Sequence, residues 1–281
     1  VQTIREIDAL RRAVAAIRRD GGSLALVPTM GALHAGHMAL ISEAKRHASQ
    51  VAASIFVNPT QFAPTEDLAS YPRREAADAE MLEAAGCAIL WAPSVATMYP
   101  DGHATKIRIS GVSDPFEGAH RPGHFEGVAT VVAKLFGQVR PDVAIFGEKD
   151  FQQLAVIRRM ARDLDLDVRI VGLPTQRDAD GLALSSRNAY LSEEERVAAR
   201  ALPRALGEAA QAIREGADVG EALERARSAL RAAGFDPIDY LALADADTLL
   251  PVNGVERPSR ILAAAKLGRT RLIDNVAVEP L

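Results

Sequence analysis

Short apolar runs alternating with amphipathic stretches constrain this chain more than any other feature. Ser23–Met30 (SLALVPTM), Gln50–Asn58 (QVAASIFVN), Cys87–Trp91, Val143–Phe146 and Val168–Gly172 each read as a buried strand. Between them lie segments with helical spacing: His37–Ala48, Arg73–Ala85, Phe125–Val139 and Asp150–Asp163. Thr3–Arg19 reads as a helix ahead of the first strand, with Ile4, Ile7, Leu10, Val14 and Ile17 on one side and Gly21-Gly22 as its stop. Lys106–Ser110 alternates apolar and polar residues and reads as an extra strand. Strands joined through helices pair in parallel, because hairpin closure is denied to them. The pattern predicts an open, doubly wound, Rossmann-like α/β domain whose ligands gather beyond the carboxyl ends of its strands.

After Pro174 the pattern changes. A polar segment, TQRDADGLALSSRN, leads into Ala- and Arg-rich helices at Ser192–Glu215 and Gly220–Ala233. Strand-like pieces follow at Ile238–Ala244, Ile261–Lys266 and Thr270–Val276, which suit a mostly antiparallel sheet. We expect two domains: 1–174, doubly wound, and 175–281, a smaller α+β lid.

Composition narrows the function classes. Hydrophobic residues make up 48% of the 281, enough for a sizeable core, and the net charge of −4 argues against duplex nucleic acid or anionic lipid as partners. A single cysteine, Cys87, excludes an internal disulfide and a thiolate metal cluster. No apolar run reaches the roughly 20 residues of a membrane span and no signal-peptide pattern opens the chain, so the expectation is a cytoplasmic protein. Only five of 33 basic residues are Lys, and all six His lie at or before position 124. A Lys in such a chain can mark a place where a compact ammonium is needed, although a G- and C-rich genome explains the imbalance equally well.

Five segments carry candidate chemistry. In PTMGALHAGH, Pro28–His37, a strand ends, glycines turn the chain, and His34 and His37 stand three apart as a helix begins. Imidazoles at a helix N-terminus can donate hydrogen bonds to phosphate oxygens and stabilise a leaving pyrophosphate, and Gly31 and Gly36 allow close backbone approach. A capping or core role for either His, or a metal held with His124 or a carboxylate, remains open at this level. In FGEKDFQQ, Phe146–Gln153, Lys149 offers a point charge, Asp150 a cap or a ribose contact, and Gln153 a two-way hydrogen-bonding group. GLALSSRN, Gly181–Asn188, sets two hydroxyls and a guanidinium in a loop able to close over a triphosphate, or is simply a linker. In FVNPTQF, Phe56–Phe62, Gln61 beside apolar Phe62 suits a small branched hydroxy acid. EGAHRPGHFEGV, Glu117–Val128, brings Arg121 and His124 toward the cleft or leaves His120 and Arg121 in solvent.

Taken in chain order, PTMGALHAGH, FVNPTQF, RPGHFEGV, FGEKDFQQ and GLALSSRN, the segments resemble the pantothenate synthetase (pantoate–β-alanine ligase) family of the His-x-Gly-His nucleotidylyl-transferase superfamily, over residues 1–281. The resemblance implies ATP-dependent condensation of (R)-pantoate with β-alanine through a pantoyl adenylate, releasing AMP and pyrophosphate. It implies ATP binding by Met30, Gly31, Ala32, Leu33, His34, Ala35, Gly36 and His37, by Gly147, Glu148, Lys149 and Asp150, and by Leu184, Ser185, Ser186 and Arg187. His37 matches the position described as a proton donor, while His34, Lys149, Ser185, Ser186 and Arg187 attend the phosphates as further catalytic residues. Gln61 and Gln153 match the pantoate-binding glutamines, and Gln61 borders the β-alanine site. Gln176 is also implied in ATP binding, where the family usually has an apolar residue beside the adenine, and Ala77-Asp78 stands where adjacent acidic residues are common, which leaves a magnesium role for Asp78 open. Mg2+ as cofactor and a homodimer are also implied, with no nucleic acid or membrane partner. The alternatives are another nucleotidylyl transferase, an aminoacyl-tRNA synthetase, or a nucleotide-sensing module that performs no chemistry.

Overall fold

The computed structural model describes residues 1–63, 66 and 68–280. In chain order the first half comprises β1 (Gln2–Ile4), α1 (Ile7–Arg19), β2 (Leu24–Thr29), α2 (Ala35–His47), β3 (Gln50–Ile55), α3 (Glu75–Ala84) and β4 (Ile89–Trp91). Two single-turn helices, α4 (Val95–Met98) and α5 (Glu117–His120), precede α6 (His124–Val139), β5 (Val143–Gly147), α7 (Phe151–Asp163) and β6 (Arg169–Leu173). The second half holds α8 (Glu193–Ala198), α9 (Ala201–Arg214), α10 (Val219–Ala232), β7 (Phe235–Asp245), β8 (Ser259–Leu267) and β9 (Thr270–Val278).

Six strands form one parallel sheet in the order β1-β4-β3-β2-β5-β6. From β2 the chain builds outward through β3 to β4, then returns to the other side of β2 to add β5 and β6. The order in which strands are added therefore reverses between the parallel neighbours β2 and β5, and a crevice opens at their carboxyl ends. PTMGALHAGH leaves the end of β2 and FGEKDFQQ leaves the end of β5, so the topology alone brings the two strongest motifs together. The doubly wound domain with a smaller α+β part is the architecture expected from the alternating pattern.

Three expectations are corrected. Gln2–Ile4 is an edge strand paired with Ile89–Trp91, and the helix starts only at Ile7. Ile4 satisfies a helical spacing as well as a strand, and the open edge of β4 decides between them. Lys106–Ser110 joins no strand; its backbone is tied at Ile107, whose N–H donates to Thr130 Oγ1 at 2.9 Å, and Ile107 and Ile109 pack on the core. The stretch Ser192–Glu215 is two helices, α8 and α9, because Pro203 lacks an N–H and its ring would collide with the Ala199 carbonyl. The helix restarts with Pro203 in its first turn, where the missing donor costs nothing.

β7, β8 and β9 make an antiparallel sheet covered by α9 and α10, with its own core around Leu206, Leu230, Phe235 and Ile261. Its outer side is shared: Ala244, Leu249 and Leu262 are buried in the core of the parallel domain. Polar links add to this. Glu117, buried at the start of α5, accepts from Arg271 of β9 at 2.5 and 3.0 Å and from the Tyr240 hydroxyl of β7 at 2.8 Å.

Candidate active site

The loop after β2 is held from beneath. Asp78 on α3 is buried, and its two carboxylate oxygens accept the N–H groups of Ala32 and Leu33, each at 2.8 Å. Ala32 takes the left-handed region, with φ of 50°, a conformation the paired acceptors hold in place. With both oxygens committed and Ala77 as its neighbour, Asp78 is a structural anchor and a poor metal ligand. Among the described residues no group of three His, Cys, Asp or Glu side chains could hold a metal ion.

The same loop fixes both imidazoles. His34 Nδ1 accepts from Gly36 N at 3.1 Å, and His37 Nδ1 accepts from His34 N at 3.3 Å, closing a reciprocal cap on α2. Only glycine permits this at position 36, since a Cβ would lie 2.9 Å from His34 Cε1. Each Nδ1 takes a backbone proton, so the hydrogen-bond pattern assigns the ring proton of both residues to Nε2. Burial and the neighbouring His34 and Lys149 push His37 down to about 3; burial and Lys149 lower His34 as well. Both rings are therefore neutral donors at physiological pH, their planes tilted by 46° with centroids 4.1 Å apart.

Gln61 sits in a short 3₁₀ turn, Pro59–Gln61, after β3. Asn58 is 1% exposed and its amide nitrogen donates to Gln61 Oε1 at 3.0 Å and to the Gly127 carbonyl at 3.2 Å. Asn58 Oδ1 accepts from Tyr99 and from the Thr60 hydroxyl. With its oxygen held, Gln61 presents its NH2 toward Met30 Sδ and the crevice. His124, buried at the start of α6, takes the opposite tautomer: Arg121 donates to Nε2 and Nδ1–H donates to the Gln61 carbonyl at 2.9 Å. Burial and Arg121 hold His124 at about 4.

Of the adjacent glutamines on α7, Gln152 turns inward to the backbone of Val112, Pro115 and Glu117. Gln153 faces the crevice and has no protein partner among the described residues. Lys149 is 19% exposed, its nearest carboxylate Asp150 at 3.8 Å. Asp150 makes no side-chain cap, which leaves its carboxylate on the crevice. Ser185 Oγ accepts from Arg187 N, and Ser186 Oγ donates to the Ala32 carbonyl at 3.1 Å, tying the 181–188 loop to the His loop.

These groups converge on a cavity of about 230 Å³ lined by Met30, His34, Gly36, His37, Gln61, Gly147, Lys149, Asp150, Gln153, Gln176, Leu184, Ser185, Ser186 and Arg187. Its floor is apolar: Val128, Val131, Val132, Leu135 and Phe146. Lys149, Asp150, Ser185 and Arg187 also line a second cavity of about 680 Å³, which reaches Lys266, Arg269 and Arg271 of the smaller domain. Not every expected residue meets the first cavity. Gly31, Ala32, Leu33 and Ala35 form its supporting loop without lining it, and Glu148 turns away to pair with Arg260 at 3.2 Å. Gln176 lines it, but its carbonyl accepts from Leu184 N and its side chain folds onto the Pro174 carbonyl. Arg121 is not in solvent; it pairs with Glu66 and Glu117. Sequence reasoning passed over Asn58 and the apolar floor. An Asn three residues before Gln61, directly ahead of a proline, was the available signal for the first.

Comparison with known proteins finds relatives over the whole chain. The sequence profile described as "Pantoate-beta-alanine ligase" matches residues 2–277. A pantothenate synthetase from Rhizorhabdus wittichii is 66% identical over 280 residues, covering 100% of this chain and 99% of its own, and one from Sphingopyxis alaskensis is 62% identical over 278, covering 99% and 100%. A crystal structure of pantothenate synthetase from Thermus thermophilus superposes with a TM-score of 0.94 at 48% identity, covering 100% of both chains. A pantoate-β-alanine ligase from Francisella tularensis, complexed with β,γ-ATP and β-alanine, superposes with 0.80 at 32% identity, covering 98% of this chain and 96% of that one.

Proposed function

Because this chain belongs to the pantoate–β-alanine ligase family, it is an ATP-dependent ligase of pantoate and β-alanine, and we propose that the crevice between β2 and β5 carries out both halves of the reaction. In the first half a pantoate carboxylate oxygen attacks the α-phosphorus, the bond to the β-phosphate breaks, and pyrophosphate leaves. In the second half the β-alanine amine attacks the acyl carbon of pantoyl adenylate and AMP leaves.

The observation that carries this reading is the convergence of four neutral donors and one cation on a single cavity: His34, His37, Gln61, Gln153 and Lys149. The attacking carboxylate is already ionised, so the first half needs no general base, and the cavity offers positioning and charge stabilisation instead. His34 and His37 donate Nε2–H to phosphate oxygens; Lys149 neutralises the charge that develops on the leaving group; Ser185, Ser186 and Arg187 close the loop over the phosphates. Gln61 and Gln153 orient pantoate, with its branched apolar part on the valine floor, which also keeps water from the acyl adenylate. The first cavity is smaller than the roughly 300 Å³ that ligand sites usually begin at. The β- and γ-phosphates then extend across Lys149 and Arg187 into the second cavity. Mg2+ would arrive with the nucleotide, with Asp150 as the carboxylate that faces the crevice. The reading includes a cytoplasmic homodimer, checked by sedimentation at twice the chain mass.

The test is incubation with ATP, pantoate and β-alanine. AMP should form only with all three present, and ATP plus pantoate alone should give a stoichiometric burst of pyrophosphate. AMP production indifferent to pantoate, or none at all, would count against the ligase.

A further inference from the structure

The turn that carries Lys149 is gripped from the other domain. Residues 148–150 form a single 3₁₀ turn between β5 and α7. Asn275 of β9 is 3% exposed, and its amide nitrogen donates one hydrogen bond to the Glu148 carbonyl and one to the Lys149 carbonyl, both at 2.9 Å. These carbonyls belong to the two peptide planes that flank the Lys149 Cα. Holding both planes fixes φ and ψ of Lys149, and so the direction in which its side chain leaves the backbone.

Asn275 is itself fixed. Its Oδ1 accepts from Arg260 Nη1 at 2.6 Å, while Arg260 pairs with Glu148 and lies over the Phe151 ring at 3.9 Å. On the other side Arg177 donates to both oxygens of Asp274 and to the Asn275 carbonyl. With both amide protons and the oxygen in use, the carboxamide has one orientation, and the amide faces the turn.

Building on the ligase reading, we propose that Asn275 is a positioning residue through which the smaller domain sets Lys149 for adenylate formation. Lys149 acts on the phosphates, so the first half-reaction depends on this grip and the attack of β-alanine on a finished adenylate does not. The lid domain then completes the catalytic lysine rather than merely covering it.

The test separates the two half-reactions in purified enzyme. Asn275→Ala should slow the pyrophosphate burst from ATP and pantoate by about 10- to 100-fold, the scale on which misplacement of a catalytic group acts. Conversion of supplied pantoyl adenylate with β-alanine should stay within about twofold of wild type. In a double-mutant cycle, Asn275→Ala added to Lys149→Ala should cost little more than Lys149→Ala alone, because the grip acts through that side chain. Should Asn275→Ala fold poorly, Asn275→Asp keeps the acceptor for Arg260 while losing both donors, and the same results are expected. Equal slowing of both half-reactions, or losses that multiply in the cycle, overturn the positioning role while leaving the ligase intact. A wild-type protein that makes no pyrophosphate overturns both.

Discussion

At the scale of single residues the crevice sets neutral donors around one ammonium. The reciprocal cap makes Nδ1 of both His34 and His37 an acceptor, and burial lowers both pKa values, so neither ring brings a positive charge to the phosphates at neutral pH. That leaves Lys149 as the near cation of the His–Gln cavity besides Arg187, and its proposed role at the phosphates would give the shortage of Lys in the chain a chemical meaning at one position. Lys149→Ala should reduce pyrophosphate formation by about 10²–10³, the usual cost of removing one electrostatic donor, with an unchanged melting temperature. A variant within a few-fold of wild type would remove Lys149 from the phosphates. A second expectation follows from the tautomers. The profile of kcat/KM for ATP, which reports the free enzyme, should lack a limb near pH 6.5 arising from His37, because that ring titrates at about 3. A limb near 6.5 that vanishes in His37→Asn would contradict the neutral ring.

At the scale of elements, α6 sets the turn after β3 that carries Gln61, the proposed pantoate contact. Gly127 lies so close to that turn that a Cβ would stand 2.5 Å from the Thr60 carbonyl and 2.8 Å from Gln61 Cα. Gly127→Ala should therefore push the turn away, raise the KM for pantoate by about tenfold and cost about 1–3 kcal/mol in overpacking. Gly137→Ala on the same helix meets nothing within 4 Å and should instead stabilise the protein by up to about 1 kcal/mol. Calorimetry and steady-state kinetics on the pair decide it, and equal behaviour of the two variants would sink the argument. Element type was legible in the sequence where burial left a helical spacing, as in α6, or a short continuous apolar run, as at Leu24–Val27. Periodicity failed where a partner elsewhere decided the outcome: Ile4 became strand because β4 had an open edge, and Lys106–Ser110 remained unpaired despite alternating. The motif residues facing the crevice were readable from order and resemblance. The orientation of the Gln61 carboxamide was not, because it is set by Asn58, which bonds to α6 and Tyr99 far along the chain.

At the scale of the whole molecule, Glu117 joins the domains through Arg271 and Tyr240 while the larger domain buries neutral histidines, and together these fix how stability varies with acid. Glu117 is held at about 2: its burial works against ionisation, but hydrogen bonds and charge from Arg271, with Arg121 nearby, outweigh it. His37 and His124 are held at about 3 and 4 by burial. An unfolded chain binds protons on these His below pH 6.5 and on this Glu below about 4.5, while the native protein does not. Between those values and the native ones the unfolded state carries more protons, so stability falls as pH falls. The contribution is complete above about pH 7. Each of the two His adds a slope of up to about 1.4 kcal/mol per pH unit from 6.5 down toward 4, and Glu117 joins only below about 4.5. Urea denaturation across pH 7.5 to 4 should show this two-stage loss. His124→Asn should flatten the upper stage while lowering stability at pH 7.5, since its Nδ1–H bond to the Gln61 carbonyl is disturbed. Glu117→Gln should leave the upper stage unchanged and, by removing one of the two carboxylate partners of half-buried Arg271, which keeps Asp239 at 2.6 Å, cost about 1–3 kcal/mol at every pH above 5. A stability constant from pH 7.5 to 5 in the wild type would mean that the histidines are not held neutral by the fold, and the donor chemistry assigned to His37 would fall with that result.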